Sequence, residues 1–219
     1  MEPKKGRREM KKFELTTESI TNEAGKKLFR IKALIDFGDV KAGEPGGYVE
    51  KEGNVSQDDN AWVSGDAEVF GNAKVSGNAK VFGNAKVYDN AWVSGDAKVY
   101  DNARVYDNAR VSGNAWVYDN AWVSGDARVS GNAWVSGDAR VSGDADYALV
   151  QGFGTEFRCT TFYRGKNKKI MVNCGCFHGD LEGFRKQVKE TRNGKIAKEY
   201  LMIADLMEYH FTSEDSSNE

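Results

Sequence analysis

Ala61-Trp62-Val63-Ser64-Gly65-Asp66, Ala67-Glu68-Val69-Phe70-Gly71-Asn72 and Ala73-Lys74-Val75-Ser76-Gly77-Asn78 are successive copies of one six-residue unit. From Ala61 to Ala145 an alanine returns every six residues, fifteen times; from Val63 to Val141 a valine does so fourteen times, without insertion. Within the unit, Ala and Val alternate with polar or aromatic residues, the period of a strand with one buried face. The closing pair is Gly-Asn, Gly-Asp or Asp-Asn, which tolerates left-handed backbone angles and turns a corner. A helix is excluded because a period of six does not follow the helical turn and the corner residues are poor helix formers. Collagen is excluded because glycine does not fall at every third position. A short strand and a corner, repeated, wind into a stack of coils.

The pattern resembles the hexapeptide repeat of left-handed parallel β-helices, whose coils have three sides and eighteen residues. The resemblance supplies the handedness, which spacing alone does not. The expected fold is mainly β: a three-sided left-handed parallel β-helix of about five coils, spaced roughly 4.8 Å apart. An N-terminal β cap and a small C-terminal α+β cap of ββαα order flank it. The core is thin, with Val at one inward position and Ala at the other. Both ends of such a stack expose strand edges, so the flanks are expected to close them.

At eighteen residues per coil the outward positions fall into three columns. The first carries Trp62, Lys80, Lys98, Trp116 and Trp134 before the Val, and Ser64, Phe82, Tyr100, Tyr118 and Ser136 after it. The second carries Glu68, Lys86, Arg104, Trp122 and Arg140, then Phe70, Tyr88, Tyr106, Ser124 and Ser142. The third carries Lys74, Trp92, Arg110 and Arg128, then serines only. All five Trp therefore sit outward. Aromatic columns stabilise a stack by like-on-like packing, or they meet another subunit or partner as an apolar face. Interleaved Arg can stack a base and pair a phosphate. Trp62, Trp92, Trp116, Trp122, Trp134, Tyr88, Tyr100, Tyr106, Tyr118, Arg104, Arg110 and Arg128 are the candidate binding residues of the coils. The corner Asp residues do not follow a calcium-binding spacing and are read as turn chemistry.

The flanks divide into a basic flexible tail over 1–12, an N-terminal cap over 13–60, the β-helix over 61–150, a C-terminal cap over 155–212 and a polar tail over 213–219. The N-terminal cap contains Asp39-Val40-Lys41-Ala42-Gly43 and then Gly46-Gly47-Tyr48-Val49. That opening followed by hexapeptide coils, over 36–146, resembles YdcK-like hexapeptide-repeat proteins, among them many phage and prophage proteins of unassigned function. Tyr48 stands where that group often has Trp. The resemblance implies a capped β-helix and brings no established reaction. Gly43, Gly46 and Gly47 lack the Gly-Lys-Ser/Thr ending of a phosphate loop and are read as a turn into the first coil.

In the C-terminal cap, Glu156–Tyr163 and Lys169–Cys174 alternate like strands. Asp180 is placed to cap a helix with Leu181, Phe184 and Val188 on its apolar face. A second helix follows, with Ile196, Tyr200, Ile203 and Met207. If the hairpin pairs symmetrically about Lys166–Asn167, Cys159 faces Cys174 and Phe157 faces Cys176, with His178 behind. Cys159, Cys174, Cys176 and His178 then form a zinc donor set. Buried thiols packing as small hydrophobes is the favoured reading, and no cofactor is expected. Arg164, Lys166, Lys168 and Lys169 make a basic turn, either a phosphate patch or a solvated hairpin tip.

The chain has 219 residues, with 31 Lys+Arg against 33 Asp+Glu and three Cys. That balance argues against a globally basic nucleic-acid coat, and the Cys count against a disulfide framework. No apolar run is long enough for a membrane helix and the first residues lack a signal-peptide core, so a cytoplasmic protein is expected (host-cell cytoplasm, if phage-encoded). The expected function is a non-catalytic binding or scaffold protein, in a phage setting a host-defence inhibitor. The alternatives are a nucleotide or nucleic-acid sequestering protein and a hexapeptide acyltransferase. The last is disfavoured because the coils hold no His base. By analogy with hexapeptide proteins a homotrimer is expected; the macromolecular partner is not named by the sequence.

Overall fold

The computed structural model describes residues 11–212. The repeat forms a parallel stacked-coil β-solenoid of about five turns. Its strands are two residues long and sort into three sheets, one per column. The first runs from Trp62–Val63 to Trp134–Val135, the second through Glu68–Val69 to Arg140–Val141, and the third from Lys74–Val75 to Arg128–Val129. Parallel register is in phase throughout, with Val over Val, as in Val87–Val105–Val123. Every repeat Ala from 61 to 139 and Val from 63 to 141 is buried. Ala145 departs: it lies in the short 3-10 turn Asp144–Asp146, so the inward pattern stops at Val141.

The corners are built as their residue types require. Asp89, Asp101, Asp107 and Asp119 have φ of 57–58°, and glycines take the equivalent left-handed position elsewhere. Short polar side chains and Gly visit that region at least cost. Corner amides stack in ladders, such as Asn72 to Asn90 to Asn108 to Asp126, each Nδ2 donating to the next Oδ1.

Outside the strand pairs, N–H groups such as that of Trp62 donate to carbonyls of the following coil, here Ala79 O, while the parallel strand pairing bonds the coils in both directions. Each end coil is therefore left with carbonyls and N–H groups that no neighbouring coil bonds, both costly if buried. The flanks answer each need with the opposite group. At the N-terminal end, Lys12 Nζ donates to Asp59 O at 2.7 Å and Ala61 O at 2.8 Å, and Asn54 Nδ2 to Ala73 O at 2.9 Å. At the C-terminal end, Thr161 Oγ1 accepts from Trp134 N at 3.0 Å and Asp144 Oδ1 from Arg128 N at 2.8 Å.

The N-terminal cap is an antiparallel continuation of the second sheet: Phe13–Thr21, Lys27–Ala33 and Pro45–Val49, the last pairing in parallel with Glu68–Val69. The stack thus begins near Pro45 rather than at residue 61. Gly46 and Gly47, expected in a turn, lie in this strand. The reason is close approach. A Cβ on Gly47 would sit 2.7 Å from Ala67 O and 2.8 Å from Val63 Cγ1. Gly47→Ala is therefore expected to lower stability by about 2 kcal/mol in urea unfolding; a loss within about 0.5 kcal/mol would contradict this packing. Most of the expected 1–12 tail, and all of 213–219, lie outside the described residues. Lys12 does not: it is buried, and Lys11 pairs with Glu52.

The C-terminal cap differs from the expected ββαα order. It has a four-stranded antiparallel sheet, Tyr147–Phe153, Arg158–Arg164, Ile170–Cys174 and Phe177–Asp180, then helices α1 (Leu181–Thr191) and α2 (Gly194–Thr212). Tyr147–Phe153, placed partly in the coils by sequence, is the cap's first strand. Asp180 caps α1 as expected, accepting from Gly183 N at 2.9 Å. One face of the sheet packs on the helices through Phe162, Val172 and Phe184. The other sends Tyr163, Leu149 and Met171 onto the last coil.

Candidate functional site: the cleft between the last coil and the C-terminal sheet

The columns end where the C-terminal sheet crosses the stack. Trp134 belongs to the terminal strand of the first sheet, and its ring stacks on Trp116 at 5.1 Å and 9°. Below that pair, Lys98 Nζ lies 4.6 Å from the Trp116 ring centre. Trp134 is followed by no further coil and stays 38% exposed. Beside it the sheet contributes Arg158, Cys159 and Thr161, and Gln151 comes from the preceding strand. Together with Trp116 and Trp134 these line a cleft of about 510 Å³. Its surface is mostly apolar, with amides, a hydroxyl and one guanidinium at its edge.

The cleft floor is held by buried hydrogen bonds. Asn173 Nδ2 donates to Trp134 O at 2.9 Å and to Ser136 Oγ at 3.1 Å. His178 Nδ1 lies 2.6 Å from Asn173 Oδ1. Burial pushes the Tyr163 phenol up to about 12 and raises the Cys159 thiol above its ordinary value. Both stay protonated at neutral pH, so the cleft brings no anion of its own from these groups.

The other sequence candidates are distributed otherwise. Trp62 is a correction: it points out of its coil but is buried, under Phe37 at 5.3 Å and Phe13 at 6.2 Å, because the N-terminal cap covers it. Tyr100 and Tyr118 stack with Phe82, and Tyr88 and Tyr106 with Phe70, at 4.8–5.0 Å and within 3° of parallel. Trp122 lies between the guanidinium groups of Arg104 at 5.2 Å and Arg140 at 4.2 Å. Arg110 lies over Trp92 at 5.9 Å. Arg128 remains on the third column with its side chain exposed. These columns largely satisfy themselves, as the packing reading expects.

The basic turn does not form one patch. Arg164 pairs with Asp146 at 3.0 Å and Lys169 with Asp180 at 3.4 Å, while Lys166 and Lys168 are exposed at the tip. The zinc arrangement is also corrected. The hairpin pairs Thr160 with Cys174, not Cys159 with Cys174. A three-residue loop, with Lys168 at φ 58°, replaces the symmetric two-residue turn and moves the register by one. Cys159 then faces the last coil, while Cys174 packs among the helix-side residues. His178 is held by Asn173, and Cys176 is exposed. Among the described residues no three His, Cys, Asp or Glu side chains gather as a metal cluster. Sequence reading missed Arg158, Gln151 and Thr161, because the crossing of the first cap strand over the coil end left no repeat signal.

The fold and its ends define a capped parallel β-solenoid of hexapeptide coils. Three stretches, residues 103–119, 109–125 and 121–137, match the YdcK β-solenoid repeat family, so the chain is YdcK-like in its coils. No curated protein matches it. No helix among the described residues is long and apolar enough to cross a membrane.

Proposed function

We propose that the chain is a non-catalytic cytoplasmic binding protein whose ligand enters the junction cleft, and that this ligand is a planar ring carrying an anionic group, a nucleotide in kind. One observation carries the reading: an aromatic column that ends on an exposed Trp134, in a cleft whose only lining cation is Arg158. A ring placed on Trp134 continues the stacking that Trp116 begins, and stacking of a base on an aromatic contributes about 1–3 kcal/mol. Arg158 supplies a planar donor fork for a phosphate. A phage-encoded inhibitor that sequesters a host signal nucleotide is the setting the family resemblance suggests for such a cleft.

Isothermal titration with adenosine monophosphate, adenosine and inorganic phosphate tests it. The nucleotide is expected to bind below about 1 mM, and adenosine about tenfold more weakly. Trp134→Ala is expected to abolish binding, and Arg158→Gln to reduce the nucleotide to the level of adenosine. No heat from any of the three ligands, or binding unaffected by Trp134→Ala, would overturn the reading.

A further inference from the structure

The corner amides of the solenoid form ladders, and one of them ends in the junction cleft. At intervals of eighteen residues the three corner columns close on Asn132, Asp138 and Asp144. A carboxylate only accepts, so a column that closes on one leaves no side-chain donor over. Asn132 is the exception. Its Oδ1 accepts from Asn114 Nδ2 at 3.1 Å, and among the described residues its own Nδ2 reaches no acceptor. In the rungs before it that donor crosses to the next coil, as Asn78 Nδ2 does to Asp96 Oδ1 at 2.9 Å. One further step of eighteen falls on Val150, in the first strand of the C-terminal cap, so no rung receives the Asn132 donor.

Asn132 and Trp134 line the cleft together, and both are exposed. Each stands one coil beyond its counterpart, Asn114 and Trp116, which line the cleft as well. A planar ring laid on Trp134 takes the level of the absent coil, as Trp134 does over Trp116 at 5.1 Å. The edge of that ring then stands where the next side-chain oxygen of the ladder would be. Resting on the reading of this cleft as a nucleotide site, we propose that Asn132 is its specificity-determining residue and selects a base with a keto oxygen on that edge over one with an amino group. The reason is the state of the amide. An unengaged asparagine pairs with an amino base by donating from Nδ2 and accepting at Oδ1. Here Oδ1 is engaged by Asn114, and Nδ2 is the group left to meet the ring. A keto oxygen accepts its proton, whereas an exocyclic amino group sets donor against donor.

Isothermal titration with inosine monophosphate and adenosine monophosphate tests this, because the two differ only in one exocyclic group and the ring nitrogen beside it. Inosine monophosphate is expected to bind about fivefold more tightly, the worth of one hydrogen bond. Asn132→Ala is expected to bring the ratio to about one. Asn132→Asp keeps an acceptor for Asn114 but offers the ring no donor, and is expected to invert the preference. Its added charge weakens both nucleotides through the phosphate they share, so the ratio is the readout. Asn132 is exposed, and neither change is expected to move the thermal midpoint. Equal binding of the two nucleotides, or a preference that survives Asn132→Ala, would overturn the proposal; if Trp134→Ala still abolished that binding, the cleft reading would stand. No binding of either nucleotide, or binding indifferent to Trp134→Ala, would overturn both.

Discussion

Val105→Asp is expected to abolish cooperative folding of the coils. Val105 is fully buried at mid-stack, between Val87 and Val123 in the second sheet. The neighbouring N–H groups already donate elsewhere: Tyr88 N to Val105 O and Tyr106 N to Val123 O, both at 3.0 Å. A carboxylate there meets Ala and Val side chains and no donor. An unpaired buried charge costs more than about 5 kcal/mol, comparable to the whole stability of an ordinary domain. Because each coil contacts only its neighbours, the break separates the N-terminal coils from the C-terminal ones. Val105→Ala is the matched control and is expected to lose about 2 kcal/mol while remaining folded. Circular dichroism melting checks both. An unchanged melting temperature for Val105→Asp would contradict the register of the whole stack.

Lys12→Met is expected to open the N-terminal end. It leaves Asp59 O and Ala61 O without their donor, and unsatisfied buried acceptors cost about 1–3 kcal/mol each. A loss of about 3 kcal/mol is expected, with end-to-end association of the bared coil. Burial lowers the Lys12 pKa from 10.5 to about 8, against the opposing pull of Asp59 and Asp58. The sign of the pH dependence follows. Between those two values the unfolded chain binds the extra proton, so native stability due to Lys12 rises as pH climbs through that window. Wild type should therefore gain on Lys12→Met from pH 8 toward 10.5 in urea unfolding. A difference that stays flat or shrinks over this range would show that Lys12 is not buried as described.

The coils were legible because one period determines everything about them: inward Ala and Val, left-handed corners, columns at intervals of eighteen. The caps were less so, each for a physical reason. Lys12 reads as one more charge in a basic segment, and its burial depends on carbonyls that only the folded stack brings together. Trp62 follows the same pattern as Trp92 and Trp116, and the cap that buries it starts some fifty residues upstream. The cysteine arrangement turned on a single residue of hairpin register, which a Gly-Lys-Asn-Lys loop leaves open. Tyr147–Phe153 carries no repeat signal, so the strand that closes the cleft, and with it the placing of Arg158 and Trp134 on one cleft, is not visible in the sequence. Trp134 is one of five outward Trp in the sequence, and only the fold sets it apart as the exposed end of a column.

The placement of a ligand in the junction cleft is tested most directly by alkylating the cysteines with and without adenosine monophosphate and reading each site by peptide mass spectrometry. Cys159 lines the cleft, and Cys176 is exposed outside it, an internal reference in the same molecule. The nucleotide is predicted to slow modification of Cys159 and leave Cys176 unchanged. Equal rates at Cys159 with and without saturating nucleotide would contradict the site.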